Sequence, residues 1–182
     1  MKKIILLLSL TMLMFSCSNE SKMKSEIKNY LDKNAKDPKS YEFVELKILD
    51  TVTVGSISED EIEANNRILK DNDEAMQISK TTLGKAIKLN KQYNDNSFDE
   101  YIIGATDDIK AIEKENFVCN KQIAKYRKTI NSKEILGYVA THKFRIKNGF
   151  GALDLDEMWV EFDKDFKLLK MDKSPNFDVF KK

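Results

Sequence analysis

The chain contains few of the residues that form disulfides or interrupt helices and strands. It has two cysteines, two prolines and six glycines in 182 residues. If Cys17 is lipidated, as argued below, Cys119 is the only remaining thiol and an intrachain disulfide is excluded. The scarcity of proline and glycine indicates mostly regular secondary structure without low-complexity segments. Such a fold must be stabilised by an apolar core.

Several kinds of functional site are missing as well. His142 is the only histidine, which excludes a zinc site built from several histidines. The chain has no glycine-rich phosphate loop, no Gly-x-Ser-x-Gly elbow and no His-Glu-x-x-His helix. The 31 basic and 30 acidic residues nearly cancel, so charge gives no argument for nucleic-acid binding. The sequence therefore predicts no cofactor, no metal and no nucleic-acid partner.

The one long apolar run lies at the start of the chain. Lys2 and Lys3 precede a nearly unbroken apolar segment over 4–15, which is the layout of a secretory signal peptide. About twelve residues are too few to span the bilayer core, which takes about twenty. The segment over 14–17 (MFSC) is similar to a bacterial lipobox, in which the cysteine, here Cys17, is lipidated and the chain is cut before it.

The start of the chain predicts where in the cell the protein is located. Residues 1–16 are predicted to be a signal peptide, and residues 17–22 a lipidated polar tether whose acyl chains attach to Cys17. Without the two lysines of the signal, 29 basic and 30 acidic residues remain. We expect attachment to a membrane of the bacterial cell envelope, namely the outer membrane, with the periplasmic and surface faces left open. An ordinary secretory signal with a chance cysteine is the alternative.

Residues 23–182 are predicted to form one domain that begins with a helix and a strand. Apolar residues over 23–34 recur at spacings of three and four, which is typical of a helix. The stretch over 41–54 is rich in β-branched and aromatic residues and alternates as a strand. Three apolar residues are expected on one face of this strand: Val44, Leu46 and Ile48.

A helical hairpin is predicted at about 58–131. Ser58 and Glu61 match a capping box that starts the first helix. Apolar residues then recur every seven positions, and the segment over 71–74 (DNDE) leaves open whether one helix or two follow. The second helix has the a/d seam of a coiled coil, widened by Phe117 and Val118. The seam residues are Ile109, Ile112, Asn116, Cys119, Ile123, Tyr126 and Ile130.

Three further strands are predicted after the hairpin. The stretch over 138–147 alternates apolar and polar residues, and Asn148-Gly149 favours a tight turn with positive φ at both positions. A change of parity at Asp156-Glu157 predicts a β-bulge, and a last strand follows over 166–171. The tail is expected to dock through three apolar residues: Phe177, Val179 and Phe180.

These elements predict the α+β class. The N-terminal helix would pack on a four-stranded antiparallel sheet, and the long antiparallel helical hairpin would be inserted between strand 1 and strands 2–4.

Two segments resemble small lipoproteins of Bacteroidota for which no activity is established. One is the segment over 37–43 (DPKSYEF), and the other is the segment over 142–151 (HKFRIKNGFG), which leads to Phe162-Asp163. The resemblance covers the first and last thirds of the chain and not the hairpin. It implies lipidation and one shared domain, and it supplies no catalytic residue.

Few residues are candidates for chemistry. His142 could act as a general base if Asp154 or Asp156 on the neighbouring strand reached it, and the alternative is a hydrogen-bonded histidine within the sheet. Cys119 could be a nucleophile beside it, but a seam position favours burial as a small hydrophobe. Asp71 and its neighbours over 71–74 are more typical of a solvated break or helix cap than of a metal site.

Two further patterns have features of binding sites. Lys143, Arg145 and Lys147 form a basic stripe that could contact phosphates or an acidic partner, or could simply be the solvent face. The segment over 95–106 has the alternate oxygens of a calcium loop, but Glu100 occupies the glycine position and the twelfth-position glutamate is missing. An EF-hand is therefore rejected.

Three functions remain open from the sequence. The first is a lipid-anchored, non-catalytic binding module that contacts a protein partner through the hairpin. The second is a hydrolase-like enzyme that uses His142 with a nearby aspartate. The third is an immunity or inhibitor lipoprotein that neutralises a toxin or hydrolase.

Overall fold

The chain forms two compact units. The structure, a computed structural model, describes three stretches: 19–94, 96–175 and 177–181. One unit joins the chain up to Val54 with the chain from Lys133 onward, and the other is Gly55–Ser132. The predicted signal peptide and lipidation site, Cys17, lie outside the described residues.

The first unit is built on a four-stranded antiparallel sheet. Its strands are β1 (Glu42–Thr53), β2 (Ile135–Lys147), β3 (Leu153–Asp163) and β4 (Leu168–Asp172). They lie in the order β1-β2-β3-β4, so β1 and β4 are the edge strands. Helix α1, described over 19–34, packs on one face, which confirms the predicted α+β arrangement. The chain is already helical at residue 19, within the segment predicted to be a tether.

The core lies between α1 and one face of the sheet. Met23, Ile27 and Leu31 recur every four residues, so one stripe of the helix is buried against the strands. On the sheet, the same cluster contains Ala140, Phe144, Val160, Phe162 and Met171. This confirms the predicted apolar stripe of the first helix.

Strand β1 is irregular, and one predicted face is wrong in part. Its register with β2 shifts between Phe43 and Glu45 and again between Ile48 and Asp50. Val44 is therefore the extra residue of a bulge and does not share a regular face with Leu46. Bulges of this kind are common on edge strands, because they discourage pairing with another chain.

The β2–β3 hairpin forms as predicted, but its turn is different. The turn is a five-residue loop, in which Gly151 has the positive φ of +84° rather than Gly149. The side-chain oxygen of Asn148 accepts hydrogen bonds from the amides of Phe150 and Ala152 at 2.9 and 3.1 Å. Asn148 thus organises the loop with its side chain instead of adopting a left-handed conformation.

The predicted bulge at Asp156-Glu157 is wrong. The pairing of β2 with β3 is regular from Gly137 to Lys147, without a register shift. Leu153 and Leu155 consequently lie on the face turned away from α1, where they are exposed. Their apolar character produced the apparent change of parity.

The second unit is a hairpin of two helices, α2 (Val54–Tyr93) and α3 (Asp99–Tyr126). Helix α2 is continuous, so the alternative of two helices with a break over 71–74 is wrong. The predicted capping box is wrong as well, because the helix begins at Val54. Ser58 is buried, and its hydroxyl lies 2.8 Å from that of Thr129.

The seam of α3 has the predicted spacing. Cys119 and Ile123 are buried, and the remaining predicted members within the helix are half-buried. Ile130 lies beyond the end of the helix at Tyr126. Phe117 and Val118 do not widen the seam, since both are exposed.

The seam of α2 is half polar. Its apolar members recur every seven residues. A second series of residues, between them along the helix, recurs at the same spacing. The second series is the more buried one, and its members are Ser58, Asn65, Asn72, Ser79 and Ala86. Small residues at such positions let two helices approach closely.

One residue of this polar series bonds across the hairpin. The amide nitrogen of Asn72 donates to the side-chain oxygen of Asn116 and to a carboxylate oxygen of Glu115, both at 2.9 Å. A buried amide needs such partners, and it fixes the register in which two helices pair. Asn72 is thus a seam residue rather than part of a solvated break.

The hairpin leaves and rejoins the sheet at neighbouring points. The Val54 amide donates to the Glu134 carbonyl at 2.9 Å, and the Gly55 amide donates to the Ser132 carbonyl at 3.1 Å. A Cβ atom on Gly55 would lie 2.6 Å from that Ser132 oxygen, so only glycine fits.

The chain ends in a short 3-10 helix, Phe177–Phe180. Phe180 is buried and packs against Gly137, where a Cβ atom would lie 2.4 Å from its ring. The predicted docking of the tail is confirmed at this residue. Of the helices in the described part of the chain, none is long and apolar enough to cross a membrane.

Candidate functional site

His142 lies in the middle of β2 on the sheet face that meets α1. It shares this face with Tyr138 and Phe144, as predicted, and it is fully buried. Its ring stacks on the rings of Phe43 and Phe144, with centroid distances of 5.3 and 5.1 Å. The histidine is therefore packed as an aromatic member of the core.

Both ring nitrogens of His142 have partners. Nδ1 lies 2.9 Å from the Glu45 carbonyl oxygen, which can only accept, so Nδ1 carries the hydrogen. Nε2 lies 3.1 Å from the hydroxyl of Tyr41 and accepts its hydrogen in the neutral imidazole. The two bonds select one neutral tautomer and hold the ring in place.

The surroundings keep both members of this pair uncharged. Burial lowers the pKa of His142 below its ordinary 6.5, and the Lys24 ammonium acts in the same direction. The hydrogen bond to the Glu45 backbone opposes this shift without overcoming it. Burial also raises the pKa of Tyr41 to about 12. At neutral pH the pair is thus a neutral hydrogen bond and holds no ionised base.

The structure does not bring the predicted aspartates to His142. Asp154 accepts a hydrogen bond from the side chain of Asn148 at 2.9 Å, and Asp156 pairs with the ammonium of Lys173. On β3 the residue opposite His142 is Met158. This geometry fixes a histidine in the core and gives it no carboxylate partner.

The basic stripe is balanced by acids on both neighbouring strands. The Lys143 ammonium lies 3.3 Å from Glu45 and 3.9 Å from Glu157, and Arg145 lies 4.0 Å from Glu42. Exposed pairs of this kind contribute little to stability. They do cancel the local positive charge, so an anion meets alternating charges on this face.

Lys147, the third residue of the stripe, is tied to the segment after α1. Its backbone amide donates to the Ser40 hydroxyl at 2.9 Å. Lys147 lines a hollow that also contains Asp37, Lys39 and Glu42, where acidic and basic side chains again mix.

The other candidates are structural where they are described. Cys119 is buried in the hairpin seam. Asp95 lies outside the described residues, and Asp99 accepts a hydrogen bond from Asn90 at 2.7 Å near the turn of the hairpin. Within the described ranges, no group of three or more His, Cys, Asp or Glu side chains could hold a metal ion.

Comparisons of the chain with protein-family models, curated proteins and solved structures found no match.

Sequence reasoning missed Tyr41 and Phe43 as neighbours of the histidine. Both belong to the segment over 37–43, whereas His142 and Phe144 begin the segment over 142–151. The segments over 37–43 and 142–151 therefore meet at this one cluster. The pairing of β1 with β2 brings them together, and nothing in either segment alone indicates that contact.

The buried histidine predicts a pH dependence of stability. The unfolded chain binds a proton at His142 near pH 6.5, whereas the folded chain resists it. The free energy of unfolding should therefore fall as the pH drops from about 6.5 towards 5, by at most about 1.4 kcal/mol per pH unit. Denaturation followed by the fluorescence of Trp159, the only tryptophan, measures this.

His142→Gln is the matched control, because it keeps a polar side chain and removes the titration. Its overall stability is expected to be lower, and its unfolding free energy should change less with pH over the same interval. Parallel curves for the two proteins would show that His142 does not carry the effect.

Proposed function

We propose that this chain is a lipid-anchored protein of the bacterial cell envelope that binds another protein through the outer surface of its helical hairpin. In this proposal the protein is a non-catalytic binding module. Its membrane attachment is the acyl group on Cys17, in the outer membrane, and its sheet unit carries the hairpin.

The observation that carries the proposal is the exposure of large apolar residues on α3. Phe117 is 70% exposed and Ile103 is 62% exposed. The two are separated by two heptads, so they lie on the same side of the helix. Val118 is exposed next to Phe117. Apolar side chains spaced along one side of a helix are the anchors by which a helix docks on another protein.

The internal packing of the hairpin supports this assignment. The seam is closed by its own residues, and the buried amide of Asn72 is satisfied by Asn116 and Glu115. Phe117 and Ile103 are therefore not needed to hold α2 against α3. They are free to contact a partner, and aromatic side chains are enriched in protein–protein interfaces.

The buried histidine favours binding over turnover. A general base must reach the proton that it removes. His142 is fully buried, and its two nitrogens are bonded to Glu45 and Tyr41. The hydrolase-like alternative would have to open the core of the sheet unit.

Site-specific photocross-linking in living cells tests the proposal. A photoreactive amino acid at position 117 should give one discrete adduct with another protein, and Ile103→Ser should weaken that adduct. The same amino acid at position 150 is the control, because Phe150 is 99% exposed in the sheet unit. Adducts that are absent, or the same from both positions, would contradict a binding surface on the hairpin.

The same cells test the anchor by membrane fractionation. The wild-type protein should be found with the membranes, and the Cys17→Ala variant should move to the soluble fraction. If the variant stays with the membranes, the lipid anchor is wrong even if the adduct at position 117 forms.

A further inference from the structure

A groove of about 440 Å³ lies between the start of α1 and the sheet. Its walls are largely apolar and come from four parts of the first unit. They include Met23 of α1, Leu46 and Ile48 of β1, Tyr138 of β2 and Phe166 of the turn between β3 and β4. The volume is within the range of sites that bind small apolar ligands.

One wall of the groove is held in an unusual backbone conformation. Phe166 has a φ of +68°, which is uncommon for a residue with a bulky side chain. Its ring stacks on Tyr138 with a centroid distance of 4.8 Å and an interplanar angle of 16°. The Asp163 carboxylate fixes the turn by accepting the amides of Asp165 and Lys167, both at 2.9 Å. The turn therefore places an aromatic ring in the groove wall.

One end of the groove lies at the first described residues of α1. Asn19 and Glu20 line it, and the Glu20 carboxylate is paired with the Lys24 ammonium at 2.7 Å. Cys17 precedes Asn19 by two residues, so their Cα atoms are at most about 7 Å apart at roughly 3.6 Å per residue. A group attached to Cys17 is therefore within reach of this end of the groove.

We propose that the groove binds one acyl chain of the lipid attached to Cys17. The inference rests on the lipidation proposed above. An acyl chain is apolar and flexible, and it matches the methionine, leucine, isoleucine and aromatic side chains of the wall, which lie beside the polar lining residues Asn19, Glu20 and Lys47. Burial in the groove removes its methylene groups from water, as burial in a bilayer does. A lipidated cysteine carries more than one chain, so one can occupy the groove while another stays in the membrane.

A photoreactive fatty acid tests the proposal. Cells that lipidate exported cysteines are grown with a diazirine-containing palmitate analogue, and the membranes that contain the full-length protein are illuminated. Mass spectrometry then maps the cross-links of the Cys17 acyl group within the same chain. We expect them on peptides that contain residues 46–48, Tyr138 or Phe166.

Two charge substitutions give a matched comparison. Ile48→Glu puts a carboxylate into the groove wall at a residue that is 50% exposed, so the fold should tolerate it. It should reduce the cross-links within the chain several-fold while Cys17 stays labelled. Leu155→Glu introduces the same charge at a residue 61% exposed on the other face of the sheet, and it should leave the cross-links unchanged.

The outcomes separate this inference from the proposed function. If Cys17 is labelled but cross-links only to lipids or randomly to the protein, acyl binding in the groove is wrong and the anchor stands. If Cys17 carries no label, the anchor and the acyl chain in the groove are both wrong. If Ile48→Glu and Leu155→Glu reduced the cross-links equally, acyl binding in the groove would also be wrong.

Discussion

Replacing Ile123 with aspartate is expected to unfold the helical hairpin while the sheet unit stays folded. Ile123 is 4% exposed at the seam of α3. The loss of its packing alone should cost about 2–5 kcal/mol. The aspartate adds the cost of placing a charge without a partner in an apolar seam. A two-helix hairpin has a single seam, so it has little packing elsewhere to compensate.

Two signals distinguish the two units in this experiment. Far-UV circular dichroism is dominated by the helices, most of which lie in α2 and α3, whereas the fluorescence of Trp159 reports on β3. We expect a large loss of helical signal at a temperature where the fluorescence is still that of the folded sheet. A thermal transition like that of the wild type would show that the seam assignment is wrong.

Phe117→Asp is the matched control for this substitution. It introduces the same charge into the same helix at a residue outside the seam. Surface substitutions usually change stability by no more than about 0.5 kcal/mol, so the hairpin should keep its helical signal. Equal losses in the two variants would mean that added negative charge, rather than the broken seam, unfolds the helices.

Replacing Phe144 with alanine is expected to give the second large loss, in the sheet unit. Phe144 is 2% exposed, and its ring contacts Tyr41 and His142 with centroid distances of 6.0 and 5.1 Å. Removing a buried phenylalanine ring costs about 3–5 kcal/mol, and most domains have only about 5–15 kcal/mol in total. Denaturant unfolding followed by Trp159 fluorescence should show a much lower midpoint.

Phe150→Ala tests whether burial causes the effect. The same ring is removed from the β2–β3 loop, where it makes little contact with the protein, and the midpoint should stay close to that of the wild type. The unfolding midpoint of Phe144→Leu should lie between those of Phe144→Ala and Phe150→Ala, because leucine keeps most of the apolar volume. If Phe144→Ala were no worse than Phe150→Ala, Phe144 would not be a core residue.

The hairpin shows which part of a coiled-coil seam a sequence reveals. The apolar members Ile62, Leu69, Met76 and Leu83 could be recognised because hydrophobic periodicity detects apolar residues. The other half of the seam could not, because Asn65, Asn72 and Ser79 resemble surface residues until their partners are known. Their seven-residue spacing was the usable signal. It is equal to the apolar spacing, and a solvent face has no reason to keep it.

The strands show the opposite difficulty, in which apolar residues are exposed and mislead a prediction from periodicity. Strand alternation predicts which residues share a face, but it does not tell which face is covered along the whole strand. Leu153 and Leu155 are apolar on a face that is open there, so a regular strand has the sequence pattern of a bulged one. The bulge at Val44 was missed for the same reason, since an apolar residue on an edge strand can point to solvent.

The candidate site was predicted in part. The face on which His142 lies followed from the alternation of β2. Its partners did not, because Tyr41 and Glu45 lie about a hundred residues earlier and reach it only through the pairing of β1 with β2. The groove between α1 and the sheet was beyond prediction, since it combines four elements with the left-handed conformation of Phe166.

The closed base of the hairpin has a consequence for the lengths of α2 and α3. At this base the Val54 amide donates a hydrogen bond to the Glu134 carbonyl. The Gly55 amide donates to the Ser132 carbonyl immediately beyond it. The entropy of closing a connection rises by only about 0.6 kcal/mol for each doubling of its length. The entropic cost of this long connection between β1 and β2 is therefore only a little larger than that of a short turn. A hairpin longer or shorter by whole heptads in α2 and α3 together could therefore be attached to the sheet in the same way.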